Sequence, residues 1–171
     1  MDAGETRSFP PRAFVDESSA ARPGGKQVYL VCAAILETSR LSAEREALMP
    51  LLRPGQRKLH WRDESAVGRR RVADLLAERQ LMSAVVTHVA LEARSAAQNA
   101  RDLAHIIGLQ NQGLDRRLRI EHVRGADEPL LWIPDAVLGA VNASALGEPA
   151  YLEALRDTIV LDVRTPDSDL P

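Results

Sequence analysis

Four acidic residues stand where an ionised oxygen is costly. Asp16 closes a short extended stretch two residues after Phe14, and Glu92 ends Val85 to Glu92 (VVTHVALE). Asp135 is the only charge in Leu130 to Val141 (LLWIPDAVLGAV), and Glu64 closes His60-Trp61-Arg62-Asp63-Glu64. Carboxylates in apolar company must be paired, hydrogen-bonded or bound to a cation. Gathered at one sheet edge, they would offer the oxygen ligands that Mg²⁺ or Mn²⁺ requires. Two such ions about 3.5–4 Å apart would stabilise the attacking and leaving oxygens of phosphodiester cleavage. Each acid also has an ordinary explanation. Asp135 early in a helix is favoured by the helix dipole, Glu92 marks a strand end, and Asp16 with Glu17 can start a turn.

Basic residues stand near one of these acids. Residues 53–71 carry Arg53, Arg57, Lys58, Arg62, Arg69, Arg70 and Arg71 against Asp63 and Glu64, a local charge of +5. Arg57, Lys58, Arg62, Arg69, Arg70 and Arg71 are the candidate contacts to nucleic-acid phosphates, although charge runs are more often solvated faces. Lys58 or His60 is placed to steady a phosphate or leaving group. Trp61 would stack on a base or, more simply, enter the core. His60, His88, His105 and His122 lack zinc-site spacing, and His88 and His105 read as structural. There is no nucleophile elbow, phosphate-binding glycine loop or dinucleotide fingerprint. Cys32, inside an apolar run, reads as inert packing.

The elements that must position these groups follow from periodicity and punctuation. Arg12 to Ser19 and Gln27 to Leu36 read as strands joined across Pro23-Gly24-Gly25, hence a hairpin. Helices are expected over 42–52 with Ser42 as cap, from Ser65 to about 80, over 93–110, from Pro134 to about 143 with Pro at the first position, and over 151–157. Further strands are expected over 82–91, 118–123 and 158–163. Two leading strands and later strands interleaved with helices predict an α/β domain with a mixed sheet. Residues 1–11 read as a loose leader, 12–164 as one domain and 165–171 as an acidic tail.

Composition narrows the class. The chain has 171 residues, 45% hydrophobic and 27% charged, which fits one domain with a real core. A formal charge of −2 excludes a polycation, so nucleic acid would have to be met through a local patch or through metal. A single cysteine cannot form an internal disulfide, and the first residues lack signal-peptide order, so a cytoplasmic setting is expected. No apolar run reaches the length of a membrane span, and no membrane partner is expected.

Phe14-Val15-Asp16-Glu17-Ser18, the apolar strand after it and Ile133-Pro134-Asp135-Ala136-Val137-Leu138-Gly139-Ala140 together resemble the bacterial domain of unknown function 3800 family. Leu59-His60-Trp61 and Glu128 to Asp135 carry the likeness further, over about residues 14–144. The resemblance implies a ribonuclease H-like fold in which acids from strands and a late helix gather around divalent metal. It gives Asp16 the first-strand carboxylate and Asp135 the late-helix one. Glu64 beside Leu59-His60 is a looser match, and Glu92-Ala93-Arg94 with Asp102 resembles a strand-end Glu-x-Arg element and a later Asp. The chain departs from the family in its shorter middle, where one strand stands for a strand and helix.

The expectation is therefore a Mg²⁺- or Mn²⁺-dependent nuclease. Asp16, Glu64, Glu92 and Asp135 would serve as metal-binding catalytic acids, supported by Glu17, Lys58, His60 and Asp102. The alternatives are a non-catalytic ribonuclease H-like module binding nucleic acid or protein, or a dimerisation or toxin-associated module using LLWIPDAVLGAV. DNA and RNA are both open as partners, as is a homo-oligomer.

Overall fold

The structure is a computed structural model that describes residues 10–21, 27–79, 88–112 and 116–159. Strand β1 (Arg12–Ala21) pairs antiparallel with β2 (Gln27–Leu36), with Asp16 opposite Cys32. On its other side β1 runs parallel to β3 (His88–Glu92), Phe14 beside Ala90 and Val15 beside Leu91. Strand β4 (Arg119–Val123) continues the sheet parallel to β3, giving the order β2-β1-β3-β4. The α/β class, the mixed sheet and the leading hairpin are as expected. The hairpin's turn, residues 82–87 of the strand expected over 82–91, the leader through residue 9 and the tail lie outside the described residues.

The helices are α1 (Leu41–Leu48), α2 (Ala66–Ala77), α3 (Ala96–Asn111), α4 (Trp132–Ala145) and α5 (Ala150–Leu155). Several boundaries differ from expectation for local reasons. Helix α1 stops at Leu48, not 52, because Pro50 supplies no N–H and the chain tightens into a 3₁₀ turn over Met49–Leu51. Ser65 caps α2 as expected, accepting from the Gly68 N–H at 3.1 Å. Helix α3 starts three residues later than expected because Ser95 and Gln98 form a capping box, while the Ala93 N–H is still bonded to Val123 O. Helix α4 begins at Trp132, so Pro134 is its third residue, where a missing N–H still costs nothing. Helix α5 runs into a 3₁₀ turn over Arg156–Thr158, so Thr158 does not open a strand; residues 160–163 lie outside the described region.

Alternation along β1 decides what each face does. Phe14, Asp16 and Ser18 share the face covered by α4, and Ala13, Val15 and Glu17 point the other way. Phe14, Ala34, Leu36 and Ala90 of the sheet meet Leu130, Leu131, Trp132, Ile133, Ala136 and Ala140 from the α4 region. Val72 and Leu76 of α2 and Tyr151 and Leu155 of α5 close that core. Full burial of one such side chain contributes about 1.5–3 kcal/mol. Trp61 enters this core, edge-on to Tyr151 with ring centroids 5.3 Å apart. It lies so close to α4 that a Cβ at Gly139 would stand 2.1 Å from its ring. Helix α3 is different: it has no buried residue. No helix among the described residues is long and apolar enough to cross a membrane.

Candidate active site

A cleft of about 780 Å³ opens where β3 ends and β1 runs on, walled on one side by α4. The carboxyl ends of parallel strands are where open α/β sheets usually bind ligands. Asp16 reaches it from β1 on the face that buries Phe14. Glu92, last residue of β3, follows Leu91, the register partner of Val15, so it stands level with Asp16. Asp135 enters from the first turn of α4. Asn142, two turns further along, donates through Nδ2 to Ser18 Oγ at 3.0 Å, tying α4 to the same face of β1.

The three acids are held differently. Asp16 Oδ1 accepts the Glu17 N–H at 2.8 Å. Burial pushes the Asp16 carboxyl up to about 6, against the pull of that N–H, with Asp135 and Glu92 raising it further and Lys58 lowering it. Asp135 Oδ2 accepts the Trp61 N–H at 2.8 Å and lies 3.5 Å from His60 Nδ1. Burial raises the Asp135 carboxyl too, while the Trp61 N–H, His60 and Lys58 oppose the rise and Glu92 adds to it. Glu92 Oε1 is paired with the Lys58 ammonium. Among the described residues, Asp16 Oδ2, Asp135 Oδ1 and Glu92 Oε2 accept no hydrogen bond.

A second cluster lies behind the first, on the opposite face of the sheet. Arg94 pairs with Glu17 and forks onto Asp102 at 2.8 and 2.9 Å. Asp102 Oδ2 is 2.9 Å from His122 Nε2. Desolvation works against the Asp102 carboxylate, but its bonds from Arg94 and His122 hold it below the usual range. Glu17, Arg94 and Asp102 all line the cleft.

The cleft thus gathers Asp16, Glu17, Lys58, His60, Arg62, Arg69, Glu92, Asp102 and Asp135. Glu64 does not join them. It is turned inward, 8% exposed, against Arg53 at 3.2 Å and Gln56 at 2.8 Å, because the 3₁₀ turn over Trp61–Asp63 points it away. Arg57, Arg70 and Arg71 are not cleft residues either; Arg70 pairs with Asp74 and Arg71 donates to Pro50 O. Arg69 faces the cleft but also donates to Trp61 O at 3.1 Å and stands over its ring. Cys32 is half-buried in β2, and burial and Asp16 push its thiol up to about 12, which disfavours the thiolate.

Three contributors escaped the residue-by-residue reading: the Trp61 backbone N–H, His122 and Gly125. A Cβ on Gly125 would stand 2.7 Å from Glu92 Oε1 and 2.8 Å from Lys58 Cε. No residue type signals a backbone donor, and a glycine facing a distant ion pair has no local pattern. The Ser18–Asn142 bond was hidden for the same reason.

Among the described residues, no three or more His, Cys, Asp and Glu side chains stand as a finished metal-holding group. That does not conflict with Mg²⁺, which keeps several waters and usually takes one or two carboxylates plus substrate phosphate. Asp16 and Asp135, half-buried, facing one cleft and each with an oxygen that accepts no hydrogen bond among the described residues, fit such an ion. No protein-family model, curated protein or solved structure matches the chain.

Proposed function

We propose that this chain is a divalent-metal-dependent nuclease, a phosphodiester hydrolase with a ribonuclease H-like arrangement. The observation that carries the reading is the meeting of Asp16 and Asp135. They come from positions far apart along the chain into one cleft, where burial raises both carboxyls, Asp135 adds to the rise of Asp16 and Glu92 adds to both. A hard dication would relieve that repulsion. The likeness of residues 14–18 and 133–140 to a family with strand and late-helix acids supports the same reading.

Asp16 and Asp135 would hold Mg²⁺ or Mn²⁺, with Glu92 as the third carboxylate. Such an ion supplies an activated water and neutralises charge on the phosphate. The chain's own residues do the rest. The Trp61 N–H fixes which Asp135 oxygen faces the cleft. Arg62 and Arg69 line its wall and would meet the phosphates flanking the scissile one. Leu138 and Leu146 offer apolar wall to a sugar or base.

A binding module without catalysis is the second reading. It is favoured by the Lys58–Glu92 pair, which leaves no three-carboxylate group ready for an ion among the described residues. One assay separates the two: labelled single- and double-stranded DNA and RNA are incubated with Mg²⁺ or Mn²⁺. Cleavage is expected from the wild type, with Asp16→Asn and Asp135→Asn each slowing it by roughly two orders of magnitude or more while binding persists. Cleavage that survives both substitutions refutes the site. Binding without turnover in any divalent ion establishes the module.

A further inference from the structure

We infer that Lys58 is the resident counter-ion of this acidic site, its ammonium bonded to Glu92 in the cleft that Asp16 and Asp135 share, where a divalent cation would enter and displace it. The inference rests on the metal-dependent reading and says how that site is kept before loading. Three half-buried carboxylates facing one cleft repel one another unless a cation stands near them. Lys58 is that cation. Its Nζ is bonded to Glu92, and its charge also acts on both Asp16 and Asp135. His60, the other basic group at the acids, approaches Asp135. Arg94 is held by Glu17 and Asp102 on the other face.

The backbone around Lys58 is anchored, while its side chain lines the open cleft. Leu59, the next residue, is fully buried, and the Trp61 N–H is bonded to Asp135. The side chain itself is one-quarter exposed and lies along the bare backbone of Gly125. The residue type also fits. The chain uses arginine for 20 of its 22 basic residues, and lysine only at positions 26 and 58. A guanidinium would lock a carboxylate in a two-pronged fork. An ammonium on a flexible stem is a point charge that can exchange one acceptor for another. An ammonium and a dication would compete for the same Glu92 oxygen. Lys58, released from Glu92 into the cleft, would find its next acceptor in a substrate phosphate. This accounts for a site rich in carboxylates that has no finished three-ligand group.

The test uses the full chain and has two arms. Mn²⁺ binding is followed by loss of the free-ion electron-paramagnetic signal for wild type, Lys58→Met and Lys58→Arg. Lys58→Met is expected to bind about tenfold more tightly than wild type, and Lys58→Arg no more tightly. In the second arm wild-type protein is acetylated with and without Mg²⁺. Lys58 is expected to react about threefold faster with the ion, Lys26 serving as internal reference. This arm needs no variant, so it decides even if Lys58→Met does not fold. Unchanged acetylation, with Lys58→Met binding no more tightly while Asp16→Asn loses the ion, overturns the role of Lys58 and leaves the metal reading intact. Failure of wild type and Lys58→Met alike to bind Mn²⁺ overturns the metal reading and the inference with it.

Discussion

Asp16 carries the sharpest consequence of burial at the level of a single residue. Its carboxyl is raised from 3.8 to about 6, so the folded chain binds that proton more tightly than the unfolded chain. Stability from this group is therefore greatest below the unfolded value and falls as pH rises through the folded one. Asp16→Asn removes the penalty and keeps an oxygen for the Glu17 N–H. The variant should melt a few degrees above wild type at pH 8, for a partly solvated group worth about 1 kcal/mol, and show no such gain at pH 3.5. Thermal melts at the two pH values with chelator present measure this. A gain of equal size at both would mean that ionisation of Asp16 is not what strains the site. The acid itself was legible as a charge after Phe14. Its partners were not, because Asp135, Glu92 and Lys58 lie far away along the chain.

At the scale of elements, the site depends on how tightly Trp61 is clamped to α4. Trp61 presents its ring to Gly139 and Tyr151 and its backbone N–H to Asp135. Gly139→Ala would drive a methyl group into the ring. Overpacking of this kind costs about 1–3 kcal/mol. Because the displaced residue is also the one that orients Asp135, cleavage should fall more than the loss of folded protein explains. Denaturant titration and the cleavage rate, taken on the same preparation, check both parts. Unaltered stability would show that the tryptophan moves aside without cost. The strands of the sheet, the Ser65 cap and the apolar span of α4 were readable from local pattern, whereas the strand expected from Thr158 was not borne out at that residue. The delayed start of α3 was encoded too, in Ser95-x-x-Gln98, whereas Pro134 was read as a first helical position when the 3₁₀ turn over Pro129–Leu131 lets α4 begin earlier.

Taken whole, a molecule with a formal charge of −2 attracts a polyanion only through a local concentration of positive charge. The fold divides the basic stretch of residues 53–71. It directs Arg62 and Arg69 to the cleft and ties Arg70 and Arg71 to Asp74 and to a backbone carbonyl. Binding of single-stranded nucleic acid should weaken with salt, and Arg62→Ala should lower the slope of that dependence by about one while Arg70→Ala leaves it unchanged. Fluorescence anisotropy across a salt series distinguishes them. Equal slopes for both variants would place the substrate somewhere other than the cleft.

Class, hairpin, most helices and the unusual setting of Asp16 and Asp135 followed from the order of residues, because propensity, capping and apolar period act over a few neighbours. The exclusion of Glu64, the pairing of Lys58 with Glu92 and the coupling of Arg94, Asp102 and His122 came only with the tertiary structure. Electrostatic partnership depends on distance through space. Parallel strand register and the seating of α4 on β1 set those distances, and neither is written in any short stretch of the chain.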